Sequence, residues 1–313
     1  MTGQGRTFRR QIADFWQIWP MPPKIETSRD VVFVDGIYLA KKACVLICYD
    51  GEHVLGWYLC RSEQSRSWQA LMQRIATPIV VVSDGGPGLR KALKKVWYTA
   101  KLQRCIVHAV WQVHRYTTRR PKTLAGIMLK DLASDLYNVK TQEDAKIWIQ
   151  RLFNWRVTFK EFLSEMTRDS NDNLRATHER LLKAYNSLVV LINTETMFRY
   201  LDETLVLDKE CPRTNNPIEG GVNAQLRRLL RYHRGMSVEK RIKAVFWWCY
   251  LHSPRPLSAK EILKVMPTDA SISTIYSSMN ERAQLQGIIP TWGDAISWGD
   301  LHNYDKLSFN DWD

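Results

Sequence analysis

Hydrophobic positions recur at strand spacing through the first third of the chain and at helical spacing through the middle. Val31–Leu39 and Ala43–Tyr49 are β-branched, apolar runs of strand length, and Asp50-Gly51 is a hairpin turn signal leading into His53–Cys60. Ser65–Ala76 predicts a helix, and Pro78–Ser83 is a short β-branched run suited to a buried strand. Pro87–Trp97 then reads as helix, Leu102–Val107 as strand and His108–Tyr116 as helix again.

Three strands with a hairpin, then helix, strand, helix, strand, helix, is the order of a ribonuclease-H-like α/β core, a mixed sheet flanked by helices. The character changes after Pro121. Asp144–Met166 carries Ile147, Trp148, Leu152, Trp155, Phe159, Phe162 and Leu163 at helical spacing, and Asn173–Asn193 predicts a second long helix. The aromatic stripe reads as the core of an all-helical insertion domain. A long helix resumes at Pro217, with a break near Gly235, and runs to His252. The expected organisation is an N-terminal remnant or linker over 1–29, the first part of the core over 30–120, the helical insertion over 121–212, the C-terminal helical part of the core over 213–270, and a tail over 271–313. From Thr291 the tail is rich in Asp and Trp; it folds back on a basic surface or is disordered.

Composition narrows the class. A chain of 313 residues with 45% hydrophobic content and 13 Trp can bury a sizeable core. No apolar run reaches membrane-span length and no signal-peptide core opens the chain, so a cytoplasmic, nucleoid-associated protein is expected. Six scattered cysteines fit a reducing compartment. The net charge of +13 is unevenly placed. Between Asp84 and Asp131 there is no acidic residue, while Lys91, Lys94 and Arg115 stand among many basic ones. A second basic block runs from Arg213 to Lys243 and contains Arg227, Arg228 and Arg231, interrupted only by Glu219 and Glu239. Two such blocks point to a polyanion, and nucleic acid is the commonest.

Three carboxylates stand out against this background. Asp35 lies inside the first strand, where an ionised carboxylate is costly unless paired or metal-bound, and Gly36 beside it lets backbone approach. Asp30 precedes the strand and Asp50 sits in the hairpin turn, which favours Asp35 as the chemical residue. Asp84 ends the strand after Ile79 and opens the turn Gly85-Gly86-Pro87, at the strand end where α/β sheets place ligands; it also suits a simple turn. In Thr214-Asn215-Asn216-Pro217-Ile218-Glu219, Asn216 can cap a helix, Pro217 suits its first position, and Glu219 falls in the first turn. Alone, the segment reads as a capping box. With two sheet aspartates it reads as the third member of an oxygen-ligand set for a pair of Mg²⁺ or Mn²⁺ ions, the arrangement suited to in-line phosphodiester chemistry. Asn223 and Arg227 follow Glu219 at four-residue steps on one helix face; Asn223 can orient the carboxylate, and Arg227, Arg228 and Arg231 can hold DNA phosphates. A solvated helix face explains them equally well.

Asp35-Gly36, Asp84-Gly85, Cys105-Ile106-Val107-His108 and Thr214-Asn215-Asn216-Pro217-Ile218-Glu219-Gly220 together resemble the DDE transposases of bacterial insertion sequences, in the mutator-like superfamily with a helical insertion before the Glu. The similarity spans roughly residues 30–270 and includes the later Phe246-Trp247-Trp248-Cys249. The resemblance implies a catalytic and metal-binding triad of Asp35, Asp84 and Glu219, two divalent ions, release of a 3′-hydroxyl at the transposon end and its transfer to target DNA. It also implies double-stranded DNA as partner and a homodimer when two ends are paired. Relatives carry an N-terminal DNA-binding region, and only about 29 residues precede the first strand here, so the expectation is either a truncated or relic copy or a misassigned start.

Cys105-x-x-His108 falls at the superfamily's signature position, and a second such pair occurs at Cys249 and His252. Four ligands can form a zinc site if the pairs meet, but each is half a site and Cys249 lies in an apolar run, so zinc is disfavoured. Two other classes remain open: a ribonuclease-H-like nuclease that cleaves without joining, and an inactive DNA-binding relic with structural carboxylates.

Overall fold

A computed structural model of the chain describes residues 4–39 and 43–285. The acidic, Trp-rich tail from Thr291 lies outside the described residues. In chain order the described part runs α1 (Gln4–Gln11), β1 (Val31–Leu39), β2 (Ala43–Tyr49), β3 (Val54–Cys60), α2 (Ser65–Met72), β4 (Val80–Ser83), α3 (Pro87–Val96), β5 (Lys101–Arg104) and α4 (Ile106–Thr117). It continues with α5 (Leu124–Ser134), α6 (Gln142–Thr158), α7 (Lys160–Ser164), β6 (Met166–Arg168), β7 (Leu174–Ala176) and α8 (Glu179–Asn193). A π-helix over Pro217–Asn223 leads into α9 (Ala224–Tyr232), α10 (Val238–Leu251), α11 (Ala259–Val265) and α12 (Asp269–Leu285). The principal sheet is mixed, with strand order β3-β2-β1-β4-β5. The chain divides into two compact units. One comprises Met1–Pro78, Gly86–Ala100 and Asn216–Asp313, and the other Ile79–Gly85 and Lys101–Asn215.

In the first unit, β1 pairs antiparallel with β2, and β2 with β3, so that Asp35 stands opposite Ile47 and Ile47 opposite Trp57. Ala43–Cys48 is buried throughout, as an unbroken apolar run should be in a strand covered on both faces. The hairpin turn forms where Asp50-Gly51 predicts it. Gly51 takes φ +98°, while Asp50 Oδ1 accepts from the backbone N–H of Glu52 and His53 at 3.0 and 2.7 Å. Arg29 Nε donates to the other oxygen of Asp50 at 3.0 Å. Asp50 is therefore consumed by its turn. Helix α2 buries Trp68, Leu71 and Met72 and packs on α3, where a Cβ on Gly88 would lie 2.0 Å from the carbonyl oxygen of Glu63. Glycine is required by that approach.

Residues of the proline-rich N-terminal stretch, expected as a linker, are packed: Ile18 and Trp19 are buried. The Trp19 indole donates to Asp269 at 2.7 Å, and the Trp247 indole donates to the Phe15 carbonyl at 3.2 Å. Lys243, 1% exposed, donates to both oxygens of Asp269 at 2.6 and 2.8 Å and to the Trp16 carbonyl at 2.8 Å, pairs with Glu239 at 2.6 Å, and lies 4.9 Å from the Trp19 ring centre. A buried ammonium is tolerated only with such a full set of partners.

In the second unit, β4 and β5 are parallel, with Ser83 opposite Arg104. The helices α4 to α8 enclose a core built from Val110, Val113, Leu129, Trp148, Leu152, Trp155, Leu188 and their neighbours. The aromatic stripe is core, as its spacing predicts. The Trp148 indole donates to the Leu132 carbonyl at 2.8 Å and that of Trp155 to the Ala125 carbonyl at 3.0 Å, which removes the penalty of burying their N–H groups.

Several boundaries differ from the sequence reading. The strand expected over Leu102–Val107 stops at Arg104, and Ile106 and Val107 begin α4, because the Ile106 N–H leaves the sheet to donate to the Arg213 carbonyl at 3.0 Å. The single helix expected over Asp144–Met166 breaks at Phe159, whose φ and ψ of −101° and 20° end α6. The helix expected from Asn173 starts at Glu179, since Leu174–Ala176 pairs with Met166–Arg168 in a small exposed hairpin. The break near Gly235 is present, between α9 and α10, with the Ser237 hydroxyl accepting from the Lys240 N–H.

Candidate functional site

Asp35 sits in mid-strand with one oxygen held locally and the other held at long range. Its Oδ1 accepts from the Gly36 N–H at 2.9 Å, and its Oδ2 accepts from Asn223 Nδ2 at 2.7 Å. Asn223 is fully buried and closes the π-helix whose first turn bears Glu219. The sequence reading placed Asn223 beside Glu219 and among the DNA-facing residues. It is buried here, and its side-chain amide donates to the Asp35 carboxylate.

The π-helix is itself a departure from expectation. Asn216 was expected to cap an α-helix, but it is already helical, at φ −56° and ψ −36°, and makes no capping bond with its side chain. Its Oδ1 instead lies 2.8 Å from where a Cβ on Gly220 would stand. Ile218, Val222 and Asn223 turn inward, and Glu219 stays half-buried. Wide helical turns of this kind are rare and recur at functional sites.

Glu63, a carboxylate that the sequence reading did not single out, packs against Gly36. A Cβ on Gly36 would lie 2.7 Å from Glu63 Oε1 and 2.9 Å from Cys44 Sγ, so glycine next to Asp35 is what admits Glu63. Burial, together with the charge of Glu63 and a hydrogen bond to it, pushes the Tyr38 hydroxyl well above its ordinary value. The Cys44 thiol is pushed up by its hydrogen bond with Cys60, then by burial, with the charges of Glu63 and Asp35 adding to this. The Cys44 thiol does not have the character of a nucleophile. The only sequence signal for Glu63 was an acidic residue just before a helix, which reads as ordinary.

In the second unit, Asp84 follows β4 in a tight turn. The Gly85 N–H donates to the Ser83 hydroxyl at 3.0 Å, and Gly85 takes φ +77°. The Arg104 guanidinium lies under this turn; a Cβ on Gly85 would stand 2.8 Å from its Nη1. Cys105 is buried, its N–H donates to the Ser83 carbonyl at 2.8 Å, and its sulfur accepts from the Asn215 N–H at 3.3 Å. The signature cysteine thus ties the Asp84 strand end to the strap that precedes Pro217. His108 is half-buried, one turn into α4, with its ring edge-on to the exposed Trp111 at 5.5 Å.

The other Cys-x-x-His pair has a packing account. Burial pushes the Cys249 thiol up, and the His252 ring stacks on Trp248 at 3.8 Å while its Nδ1 donates to the Trp248 carbonyl at 2.7 Å. Lys91, Lys94, Arg115, Arg227, Arg228 and Arg231 are all exposed.

Comparison with known proteins now bears on these residues. Residues 35–178 match the family described as "Transposase, Mutator family", a stretch that begins at Asp35, contains Asp84, Cys105 and His108, and ends before Glu219. The chain is 24% identical over 184 residues to the transposase for insertion sequence element IS905 of Lactococcus lactis subsp. lactis (strain IL1403), covering 52% of this chain and 45% of that protein. It is 24% identical over 121 residues to a probable transposase for insertion sequence element of Corynebacterium diphtheriae, covering 36% of this chain and 34% of that protein. The chain thus aligns with less than half the length of either relative. Over these stretches the chain resembles bacterial insertion-sequence transposases of the mutator type. No helix among the described residues is long and apolar enough to cross a membrane.

Proposed function

We propose that this chain carries the catalytic machinery of a DDE-type transposase, with Asp35, Asp84 and Glu219 as the metal-holding triad of a ribonuclease-H-like core. One observation carries the reading: the strand carboxylate of Asp35 is held by Asn223, four residues beyond Glu219 on the helix that bears it. The family match, which begins at Asp35 and contains Asp84, supports it.

The residues fit divalent ions of the hard, oxygen-loving type. The triad offers carboxylate oxygens, and the buried Asn223 Oδ1 has no hydrogen-bond partner among the described residues, the kind of orphaned acceptor a hard cation or its water satisfies. When bound, two Mg²⁺ or Mn²⁺ ions supply Lewis-acid stabilisation of the attacking and leaving oxygens of a phosphodiester. The protein's own part is to keep Asp35 aimed through Asn223 and to hold Asp84 in its glycine turn. Arg227, Arg228 and Arg231, with Lys91, Lys94 and Arg115, grip the backbone of double-stranded DNA. Water attacks at the transposon end to free a 3′-hydroxyl, and that hydroxyl then attacks a phosphodiester of target DNA, expelling a new 3′-hydroxyl. Pairing two ends calls for two copies of the chain on DNA, at the nucleoid.

A nuclease that cuts without joining is the second reading, since the same carboxylates serve hydrolysis alone. Incubation with a supercoiled plasmid, a linear DNA carrying the element's ends and Mn²⁺ separates them. Joined product supports the transposase; nicking with no joined product favours the nuclease; neither reaction, with the protein folded, overturns both.

A further inference from the structure

We infer that Asn223 is a fourth oxygen donor to the divalent ion held by Asp35, acting through its side-chain carbonyl directly or through one bound water. The inference rests on the proposed reading of Asp35 as a metal-holding carboxylate.

Three facts converge on it. First, the amide orientation is fixed by chemistry. An ionised carboxylate only accepts hydrogen bonds, so Asn223 must present its NH₂ to Asp35 Oδ2, at 2.7 Å, and its carbonyl oxygen must point elsewhere. Second, that oxygen is buried in a residue with no exposed surface, and no donor among the described residues reaches it. Such an unmet acceptor is destabilising, so native proteins keep few of them without a purpose. Third, the amide nitrogen and oxygen share one carbon, so the orphaned oxygen sits one amide width from the bond to Asp35. A ligand that binds Asp35 lies within its reach.

The π-helix makes this placement possible. It turns Asn223 inward beside Ile218 and Val222, and no hydrophobic residue at that position could make the bond to Asp35. A purely structural asparagine would be expected to have both ends of its amide satisfied. Here one end grips the catalytic strand and the other is left open. Neutral amide oxygens are ordinary ligands of hard cations and are outcompeted by water unless a charged ligand holds the ion beside them. Asp35 is that ligand.

The test is Mn²⁺ affinity of the intact chain without DNA, measured by calorimetry and by the loss of the free-ion paramagnetic resonance signal. Asn223→Leu should weaken Mn²⁺ binding at least tenfold, the scale seen when groups around a metal site are removed. Asn223→Asp, which keeps an oxygen in place of the lost carbonyl, should stay within about threefold of the parent on the same scale. Asp35→Ala should abolish binding at this site. Unchanged affinity in Asn223→Leu alongside loss in Asp35→Ala overturns the inference and leaves the triad standing. Unchanged affinity in Asp35→Ala means the reading of Asp35 itself has failed. Equal loss in both Asn223 variants assigns the effect to the NH₂ bond alone and also overturns the inference. If Asn223→Leu does not fold, Asn223→Asp decides by itself: a tenfold loss counts against the oxygen donor.

Discussion

Replacing Gly85 with Ala probes the turn that carries Asp84. Two costs add. Gly85 has φ +77°, and holding an L-residue in that left-handed region costs about 1–2 kcal/mol. The new methyl would also stand 2.8 Å from Arg104 Nη1, 2.9 Å from Cδ and 3.2 Å from Cζ. Arg104 is only 9% exposed and cannot swing freely, so a further 1–3 kcal/mol, roughly, of overpacking is expected. The sum is about 2–5 kcal/mol. Urea unfolding followed by circular dichroism on the transition of the β4-to-α8 unit reads it. A double-mutant cycle with Arg104→Ala isolates the steric part, which should appear as a coupling of about 1–3 kcal/mol. A Gly85→Ala cost under about 1 kcal/mol, or a coupling indistinguishable from zero, refutes the reasoning. Metal-dependent cleavage should fall more steeply than stability, because the strain is released at the residue next to Asp84.

Other consequences follow from the same structure. Lys243→Met removes the cationic partner of Asp269 and Glu239, whose side chains are about a quarter exposed and can partly rehydrate, so a loss of roughly 2–3 kcal/mol, below that of a fully buried pair, should appear as a lower melting temperature. His114 has its imidazole pKa lowered by burial and by the nearby Lys130 charge. The unfolded chain therefore takes up the proton first: its contribution is fully present above the ordinary value near 6.5 and is lost as pH falls below it. Urea midpoints of His114→Gln should lose that part of the pH dependence; an unchanged slope between pH 7 and 5, roughly, removes the assignment. Changing Arg227, Arg228 and Arg231 singly to Ala should weaken DNA binding for all sequences alike and take about 0.9 off the log–log salt slope per lost phosphate contact, measured by fluorescence anisotropy. A slope untouched by all three places DNA elsewhere.

The sheet and its turn were legible because their signals are local. Val31–Leu39 and Ala43–Tyr49 are strand-length apolar runs, and Asp50-Gly51 needs only its own backbone and side chain to make the turn. The aromatic stripe of α6 was legible for the same reason. What escaped were features set by partners distant in sequence. Phe159 breaks its helix although the apolar spacing continues through it, and the Met166–Ala176 hairpin is too short and exposed to alternate. Asn216-Pro217 looks like an α-helical start, and nothing local announces the π-turn. Asp35 was preferred over Asp50 on position alone; Asp50 Oδ1 is held by its own turn. Asn223 was noticed but given the wrong partner, because a polar residue in a helix reads as exposed until its neighbour on β1 is known. Glu63 was not singled out, since only Gly36 across the fold reveals it.

The central claim is that three carboxylates, Asp35, Asp84 and Glu219, work as one metal-dependent unit. Nicking of supercoiled plasmid in Mn²⁺ by the three single alanine variants and the triple variant tests it most directly. Residues that act together are non-additive, so each single change should reduce cleavage as far as the triple change does, with folding intact by circular dichroism. Cleavage at the parent rate in any one of Asp35→Ala, Asp84→Ala or Glu219→Ala contradicts the account.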